Sequence, residues 1–254
     1  FIKYGKITAK GGMTGVTSFK KDILTKAGSK IEYGLFYGDI TGEGTVSDIT
    51  VTYLIDGVKY AKQVLPSAGL ATCPDAPDDK TGYTFGGWNK ADGTAWDYAK
   101  DTVTEGITLY AKWIPHTYTV TFDSTGGSEV TAKTMTATYG EQLGDMPVPI
   151  RLGYFFCGWY DAPIDGKCYG NSYGKSTSQY DKTESCTLYA QWKINQYTIT
   201  FDTAGGSEIA SITKDYGTTI TAPANPTRKG YKFTGWDKEI PKTMPAGDIT
   251  ITAR

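Results

Sequence analysis

The sequence predicts a mainly β protein built as an elongated array of small tandem units, and three observations predict it. The wording Gly-Tyr-x-Phe-x-Gly-Trp occurs three times, at residues 82–88, 153–159 and 230–236. Each copy is followed by a strand-like stretch: Ile107-Thr-Leu-Tyr-Ala-Lys-Trp113, Cys186-Thr-Leu-Tyr-Ala-Gln-Trp192 and Ile249-Thr-Ile-Thr-Ala-Arg254. The 254 residues also hold 31 Gly and 19 Tyr with no long Ala/Leu/Glu/Lys runs, a composition that favours strands and tight turns over helices. An internal period of about 60 to 80 residues overrides the one or two ordinary domains that length alone would predict.

The expected organisation is a partial or divergent N-terminal domain at 1–48, repeat 1 at 49–113, repeat 2 at 117–192 and repeat 3 at 196–254. The third repeat stops just before the position of a third closing tryptophan, so the chain reads as a piece of a longer protein. Residues 1–48 do not match the repeat. There Ser18 is an N-cap candidate, Phe19, Ile23, Leu24 and Ala27 share a helical face, and Gly28 would end the helix. Residues 31–37 read as a strand, and the glycine-rich 38–44 as a boundary loop.

Repeats 2 and 3 open with Tyr118-Thr-Val-Thr-Phe-Asp123 and Tyr197-Thr-Ile-Thr-Phe-Asp202. Because strand side chains alternate faces, Tyr118, Val120 and Phe122 are expected in the core with Thr119 and Thr121 in water. Tyr197, Ile199 and Phe201 are their equivalents. The turns Ser124-Thr-Gly-Gly-Ser-Glu129 and Thr203-Ala-Gly-Gly-Ser-Glu208 supply glycines where a hairpin needs positive φ, so residues 130–139 and 209–216 should return antiparallel. Repeat 1 is looser, with residues 49–55 opening, Asp56-Gly57 turning and 58–65 returning.

A proline-containing segment follows in every copy: Cys73-Pro-Asp-Ala-Pro77, Met146-Pro-Val-Pro149 and Ala222-Pro-Ala-Asn-Pro226. Proline there limits any helix to a turn or two. The signature strand then places its Tyr and Phe on one face, and its Gly-Trp end predicts a bulge. Trp88, Trp159 and Trp236 read as core anchors rather than ligand platforms, because so small a unit needs large apolar groups to offset its chain entropy.

The chemistry available is sparse. Formal net charge is -1 with both signs scattered, which excludes the basic stripe of a nucleic-acid binder. No apolar run approaches the roughly 20 residues that cross a bilayer, and the start Phe1-Ile-Lys-Tyr-Gly-Lys lacks a signal-peptide core. The one histidine, His116, lies in an inter-repeat linker, so no general base is in place, and no enzyme activity, catalytic residue or cofactor is expected. Asp161-Ala-Pro-Ile-Asp165-Gly-Lys167 lacks the ligand alternation of a calcium loop, so no metal is expected either.

Repeat 2 departs from the pattern by an insertion between Trp159 and Cys186 that is rich in Tyr, Gly, Ser and Asn. Such mixtures suit recognition of proteins or sugars, which makes Tyr169, Asn171, Tyr173 and Tyr180 the candidate ligand-binding residues beside the plain reading of an irregular surface loop. No cysteine recurs between repeats. A Cys168–Cys186 disulfide would close the insertion, Cys157–Cys168 is the other local pairing, and four free thiols remain open.

The order Tyr-Thr-Val-Thr-Phe-Asp-x-x-Gly-Gly, then Pro-x-x-x-Gly-Tyr-x-Phe-x-Gly-Trp, then Leu-Tyr-Ala-Lys/Gln-Trp resembles the Listeria-Bacteroides repeat family, the internalin-type B-repeats. The resemblance covers residues 117–192 and 196–254 well and 49–113 less closely. It implies an α+β, β-grasp unit and a secreted bacterial protein, extracellular and attached to the cell surface or wall. In that setting the repeats act as stalk and adhesion modules. The partner so implied is a host or neighbouring-cell surface protein, with a glycan bound through exposed aromatics as the alternative and no membrane insertion by this segment.

Overall fold

The computed structural model describes residues 34–42 and 48–254, together with the short strands Ser18–Phe19, Ile23–Thr25, Lys30–Ile31 and Thr45–Val46. Strands are the only regular elements among the described residues, so the β-rich expectation holds and the helix of an α+β unit does not form. The prolines explain its absence. Pro147 and Pro149, and likewise Pro223 and Pro226, interrupt each crossover where a helix would need consecutive N–H donors. The chain divides into two units, residues 1–115 and 116–254.

In the first unit repeat 1 has four main strands: opening Thr50–Ile55, return Val58–Val64, signature Tyr83–Asn89 and closing Ile107–Pro115. The closing strand lies parallel to the opening strand, with Leu109 opposite Tyr53. The return and signature strands flank this pair antiparallel, giving the spatial order return, opening, closing, signature. Asp56 and Gly57 both take left-handed φ, 48° and 83°, which is the two-residue hairpin turn expected there. Val51, Tyr53, Ala61, Trp88, Val103 and Leu109 form the buried centre.

Residues before the repeat extend this sheet. Gly34–Phe36 pairs antiparallel with the return strand, and Ser18–Phe19 pairs parallel with Gly34–Phe36. The helix expected from Ser18 is therefore corrected where it can be seen, since Ser18–Phe19 and Ile23–Thr25 are strands. Residues 20–22 and 26–28 lie outside the described residues. The expected boundary loop is corrected too. Ile40–Gly42 is a strand paired in parallel with Ile23–Thr25, and residues 43–44 lie outside the described set. An apolar i, i+4 spacing over so short a stretch fits either element, and non-local pairing decides between them. Of the strand expected at 31–37, Lys30–Ile31 and Gly34–Phe36 are strands, with 32–33 outside the described residues.

The second unit holds repeats 2 and 3. Repeat 2 keeps the same order, return Thr134–Thr138, opening Thr117–Asp123, closing Cys186–Ile194, signature Tyr154–Tyr160, and adds the insertion strand Cys168–Asn171 at the outer edge. The closing strand again runs parallel to the opening strand, Phe122 opposite Leu188. In repeat 3 the strands are Gln196–Asp202, Ile212–Asp215 and Ile249–Thr252. Its signature segment attaches to the closing strand through Thr234 N–H to Arg254 O and Asp237 N–H to Thr252 O, both 2.8 Å. Val120 and Phe122 are buried while Thr119 and Thr121 are exposed, and Ile199 and Phe201 are buried likewise, as the alternation predicts.

The turn chemistry is more specific than the sequence indicated. Left-handed φ falls on Thr125 and Gly126, and on Ala204 and Gly205, so only the first glycine of each pair turns the chain. Asp123 Oδ1 accepts from Thr125 N–H at 2.8 Å, and Asp202 Oδ1 from Ala204 N–H at 3.0 Å, holding these residues in place. The second glycine serves packing, since a Cβ on Gly127 would stand 2.4 Å from the Trp192 ring. The serine that follows clamps the crossover: Ser128 N–H donates to Ile150 O at 2.7 Å and Ile150 N–H to Ser128 Oγ at 3.1 Å, with Ser207 and Thr227 repeating the pair.

The bulge expected at Gly-Trp is present, with register shifts between Phe85 and Trp88 and between Phe156 and Gly158. It turns the indole inward, and Trp88 and Trp159 are almost wholly buried. Trp159 Nε1 donates to Pro147 O at 2.8 Å, tying crossover to core. Trp236 is half-buried against Phe201, with ring centroids 5.4 Å apart.

Repeats 2 and 3 meet at a short joint. Asn195 N–H donates to Gly153 O and Tyr216 N–H to Asn195 O, each 2.9 Å, and Tyr216 lies edge-on to Tyr154 at 6.2 Å. A Cβ on Gly153 would stand 2.1 Å from the Tyr216 ring, whereas one on Gly217 would meet nothing within 4 Å. Both glycines have nearly the same φ, 77° and 76°, so alanine carries the same backbone strain of about 1 kcal/mol at either site. Gly153→Ala should cost a further 1–3 kcal/mol, roughly, from overpacking. Urea unfolding of the two variants checks this, and a Tyr216→Ala background should remove most of the difference.

Candidate functional site

The insertion of repeat 2 is part of the sheet rather than a loop hung from it. Cys168–Asn171 pairs antiparallel with the signature strand, Trp159 opposite Gly170 and Gly158 opposite Asn171. Gly158 permits this approach, because a Cβ there would stand 2.1 Å from Gly170 O. Alternation on this edge strand then drives Tyr169 inward, and the returning chain brings Tyr180 in beside it, ring centroids 6.2 Å apart.

Of the four candidate ligand residues, Tyr169 and Tyr180 are wholly buried in the repeat 2 core. Tyr169 OH donates to Asp181 Oδ1 at 2.5 Å and Tyr180 OH to Glu184 O at 2.6 Å, so both hydroxyls are used internally. Asn171 shapes the turn, its Oδ1 accepting from Tyr173 N–H at 2.9 Å and Lys175 N–H at 3.0 Å. Only Tyr173 faces outward, 80% exposed at the tip. Cys168 and Cys186 stand as free thiols, as do Cys73 and Cys157. Cys168 Sγ donates to Gly170 O at 3.3 Å, and Cys186 Sγ lies 3.6 Å from the Tyr180 hydroxyl oxygen.

Charge pairs brace the insertion from outside. Lys167 Nζ bonds Asp181 at 2.6 Å, Lys182 Nζ bonds Asp161 at 2.9 Å and Lys175 Nζ bonds Asp145 at 2.6 Å. The Lys167 ammonium, then the Tyr169 hydroxyl, hold the Asp181 carboxyl below its ordinary value. Burial, then the bond to Asp181, pushes the Tyr169 phenol up.

Beside the insertion, Trp192 of the closing strand borders a groove of about 350 Å³ lined by Thr125, Arg151, Ile164, Asp165 and Gln191. Trp192 Nε1 donates to Ser124 O at 3.0 Å, and Arg151 lies 4.0 Å over the Tyr154 ring with Nη1 3.4 Å from Thr125 O. Gln191 Nε2 donates to Asp165 O at 2.5 Å, fixing the far wall. Arg228 repeats the stack on Tyr231 at 4.0 Å and bonds Ala204 O at 2.7 Å, while Lys80 sits 5.3 Å over Tyr83 and bonds Asp56 at 2.8 Å. This basic residue, three before the signature Tyr in every repeat, ties turn to strand. Sequence reasoning missed it, although the recurring Lys/Arg-x-Gly-Tyr wording carried the signal.

His116 is exposed, with Nδ1 3.2 Å from Tyr118 OH, and among the described residues no three His, Cys, Asp or Glu converge to hold a metal. Among them too, no helix is long and apolar enough to cross a membrane.

The Listeria-Bacteroides repeat domain model matches residues 50–112, 118–191 and 197–254, and the chain belongs to that family. It is 36% identical over 189 residues to a "Putative membrane protein" of Evansella cellulosilytica, covering 74% of this chain and 27% of that one. A "Putative Gly-rich membrane protein" of the same organism is 38% identical over 220 residues, 81% of this chain and 24% of the relative. Internalin H of Listeria monocytogenes is 37% identical over 163 residues, 63% of this chain and 28% of the relative. The chain thus spans about a quarter of the length of these relatives.

Two outcomes follow for the insertion. Tyr169→Phe should lower stability by about 1 kcal/mol through loss of the bond to Asp181, while Tyr173→Ala should change it by less than about 0.5 kcal/mol. Because the Asp181 carboxyl is held down in the folded chain, its stabilisation is full above the ordinary value of 3.8 and is lost as pH falls through the folded value. The stability gap between the wild type and Asp181→Asn should therefore close in acid below about pH 4, and stay constant above about pH 5 in urea titrations.

Proposed function

We propose that the chain is a non-catalytic, extracellular segment of a bacterial surface protein, in which β-grasp units lacking their helix act as stalk and as a protein-binding adhesion module. The observation that carries this reading is that the motif residues shared by the repeats serve folding. The signature Trp, Tyr and Phe, the Gly-Gly-Ser turn and the basic residue before the signature Tyr all close the unit on itself. The sheet order return, opening, closing, signature of repeats 1 and 2, with a parallel central pair and a proline-bearing crossover between, supports the β-grasp reading. Membership of the repeat family, and relatives named as membrane proteins and an internalin, support a surface location.

In this reading the partner is a host or neighbouring-cell surface protein, met by the part of repeat 2 that does not repeat. Tyr173 and Ile164 stand about four-fifths exposed on the insertion and its approach. Exposed tyrosine at a turn tip supplies contact area at low entropic cost. A glycan is the second reading, favoured by the Trp192 groove, where an indole edge borders Asp165, Gln191 and Arg151.

A cell-surface protein pull-down and a glycan array with this chain separate the two. The protein-binding reading expects saturable capture of a surface protein that falls at least about tenfold in Tyr173→Ala, Ile164→Ala. Saturable sugar binding that survives this double substitution but is lost in Gln191→Ala would reverse the preference.

A further inference from the structure

We propose that the outer edge of the repeat 2 return strand, Thr134–Thr138, is a docking site for one extended strand of a partner protein, added antiparallel to the sheet with an apolar residue set over Met135. The return strand pairs with Thr117–Asp123 on one side, and among the described residues no strand lies on its other side. The ladder shows which backbone groups are left over. Phe122 N–H donates to Lys133 O and Tyr139 N–H to His116 O, each at 2.9 Å, so residues 133, 135, 137 and 139 bond inward. Alternate residues of an antiparallel ladder then turn their N–H and C=O groups outward, and these are Thr134 and Thr136. Both are exposed. Thr138, next in line, already has its carbonyl bonded by Glu141 N–H at 3.1 Å.

Repeat 1 shows what such an edge accepts. Val51 opposite Gln63 holds the place of Val120 opposite Met135, so Lys62 and Val64 stand where Thr134 and Thr136 do. There the edge is filled. Gly34–Phe36 runs antiparallel along it, with Gly34 opposite Val64, Leu35 opposite Gln63 and Phe36 opposite Lys62. Leu35 joins the repeat 1 core, and Gln63, opposite it, is only 1% exposed. Met135, at the place of Gln63, is part-buried against the repeat 2 core with no strand beside it. The occupant that fits is therefore a strand like Gly34-Leu35-Phe36, a small residue, a branched apolar one and an aromatic, whose apolar side chain continues the core face beyond Met135.

The composition of this edge agrees. Proteins blunt an open edge with charge or proline, yet Thr134-Met-Thr-Ala-Thr138 carries neither. Repeat 3 is different: Lys214 stands at the place of Ala137 and Asp215 follows it, so its return strand is charged where that of repeat 2 is not. Strand addition draws affinity from main-chain hydrogen bonds and selectivity from alternate side chains, which are the two things Thr134, Met135 and Thr136 present. This edge is the opposite one from the insertion strand Cys168–Asn171. The inference therefore stands apart from Tyr173 and Ile164, and neither depends on the other.

The test titrates the intact chain with the peptide acetyl-Lys-Tyr-Gly-Leu-Phe-Tyr-Lys-amide, residues 33–37 between two solubilising lysines, followed by NMR and amide exchange. Binding should have a Kd of roughly millimolar. It should slow exchange at the Thr134 and Thr136 amides by at least about tenfold and leave Met135, already bonded inward, unchanged. Methylating the peptide's Gly and Phe nitrogens, which would face Thr136 and Thr134, should weaken binding at least about tenfold, while methylating the Leu nitrogen should not. Thr136→Pro removes one outward N–H and leaves the inward bonds in place, so it should weaken binding as the Gly and Phe methylation does. Should that variant fold poorly by circular dichroism, the two methylated peptides decide. Absence of shifts at Thr134–Thr138, or equal binding by both methylated peptides, overturns the proposal. Protection of the same two amides that rises with protein concentration in the absence of peptide assigns the edge to a second copy of the chain, and overturns a partner strand as its occupant.

Discussion

Each repeat depends on the pairing, side by side and parallel, of its first and last strands. A parallel pair cannot be joined by a tight turn, so everything between the two strands must travel out and come back. The return strand, the proline-bearing crossover and the signature strand are that excursion. Its geometry is repeated: Val51 opposite Ile107, Val120 opposite Cys186 and Ile199 opposite Ile249. Once the pair is set, the two remaining strands have one free edge each, and the crossover can cover only the face that presents Val120, Phe122 and Leu188.

The aromatic motif follows from this constraint. A sheet of four short strands buries little apolar surface by itself, and small units need large side chains to offset chain entropy. The bulge before Trp88 and Trp159 turns the largest side chain available into the centre of the sheet face, and the closing Trp of repeats 1 and 2 packs against the signature Phe. Turn and crossover are fastened to the same frame by Ser128, Ser207, Arg151 and Arg228. The signature Trp and Phe, the turn serines and the basic residue before the signature Tyr are therefore occupied internally.

Much of this was legible locally. The alternation of Tyr118, Val120 and Phe122 fixed which side faces the core, Asp56-Gly57 announced its turn, and the Gly-Trp step announced a bulge. Long-range closure was not legible, because nothing in residues 186–192 by themselves says that their neighbour is residue 120. The insertion shows the same limit from another side. Its Tyr-rich composition pointed to a binding loop, yet pairing of Cys168–Asn171 with the signature strand carries Tyr169 and Tyr180 into the core and leaves Tyr173 outside. The short apolar spacing from Ser18 fits helix and strand alike, and pairing with Gly34–Phe36 and Ile40–Gly42 decided for strand. The helix implied by family resemblance was opposed by Pro147 and Pro149, whose effect the sequence did state.

Hydrogen exchange on the intact chain tests the central pairing most directly. If the parallel pair is the element on which repeat 2 rests, amides shared between Thr117–Asp123 and Cys186–Ile194 should be the slowest to exchange in that repeat, by at least about a hundredfold over the turn at Tyr173. Amides of the closing strand exchanging as fast as that turn, while the hairpin of Thr117–Asp123 with Thr134–Thr138 stays protected, would contradict the account.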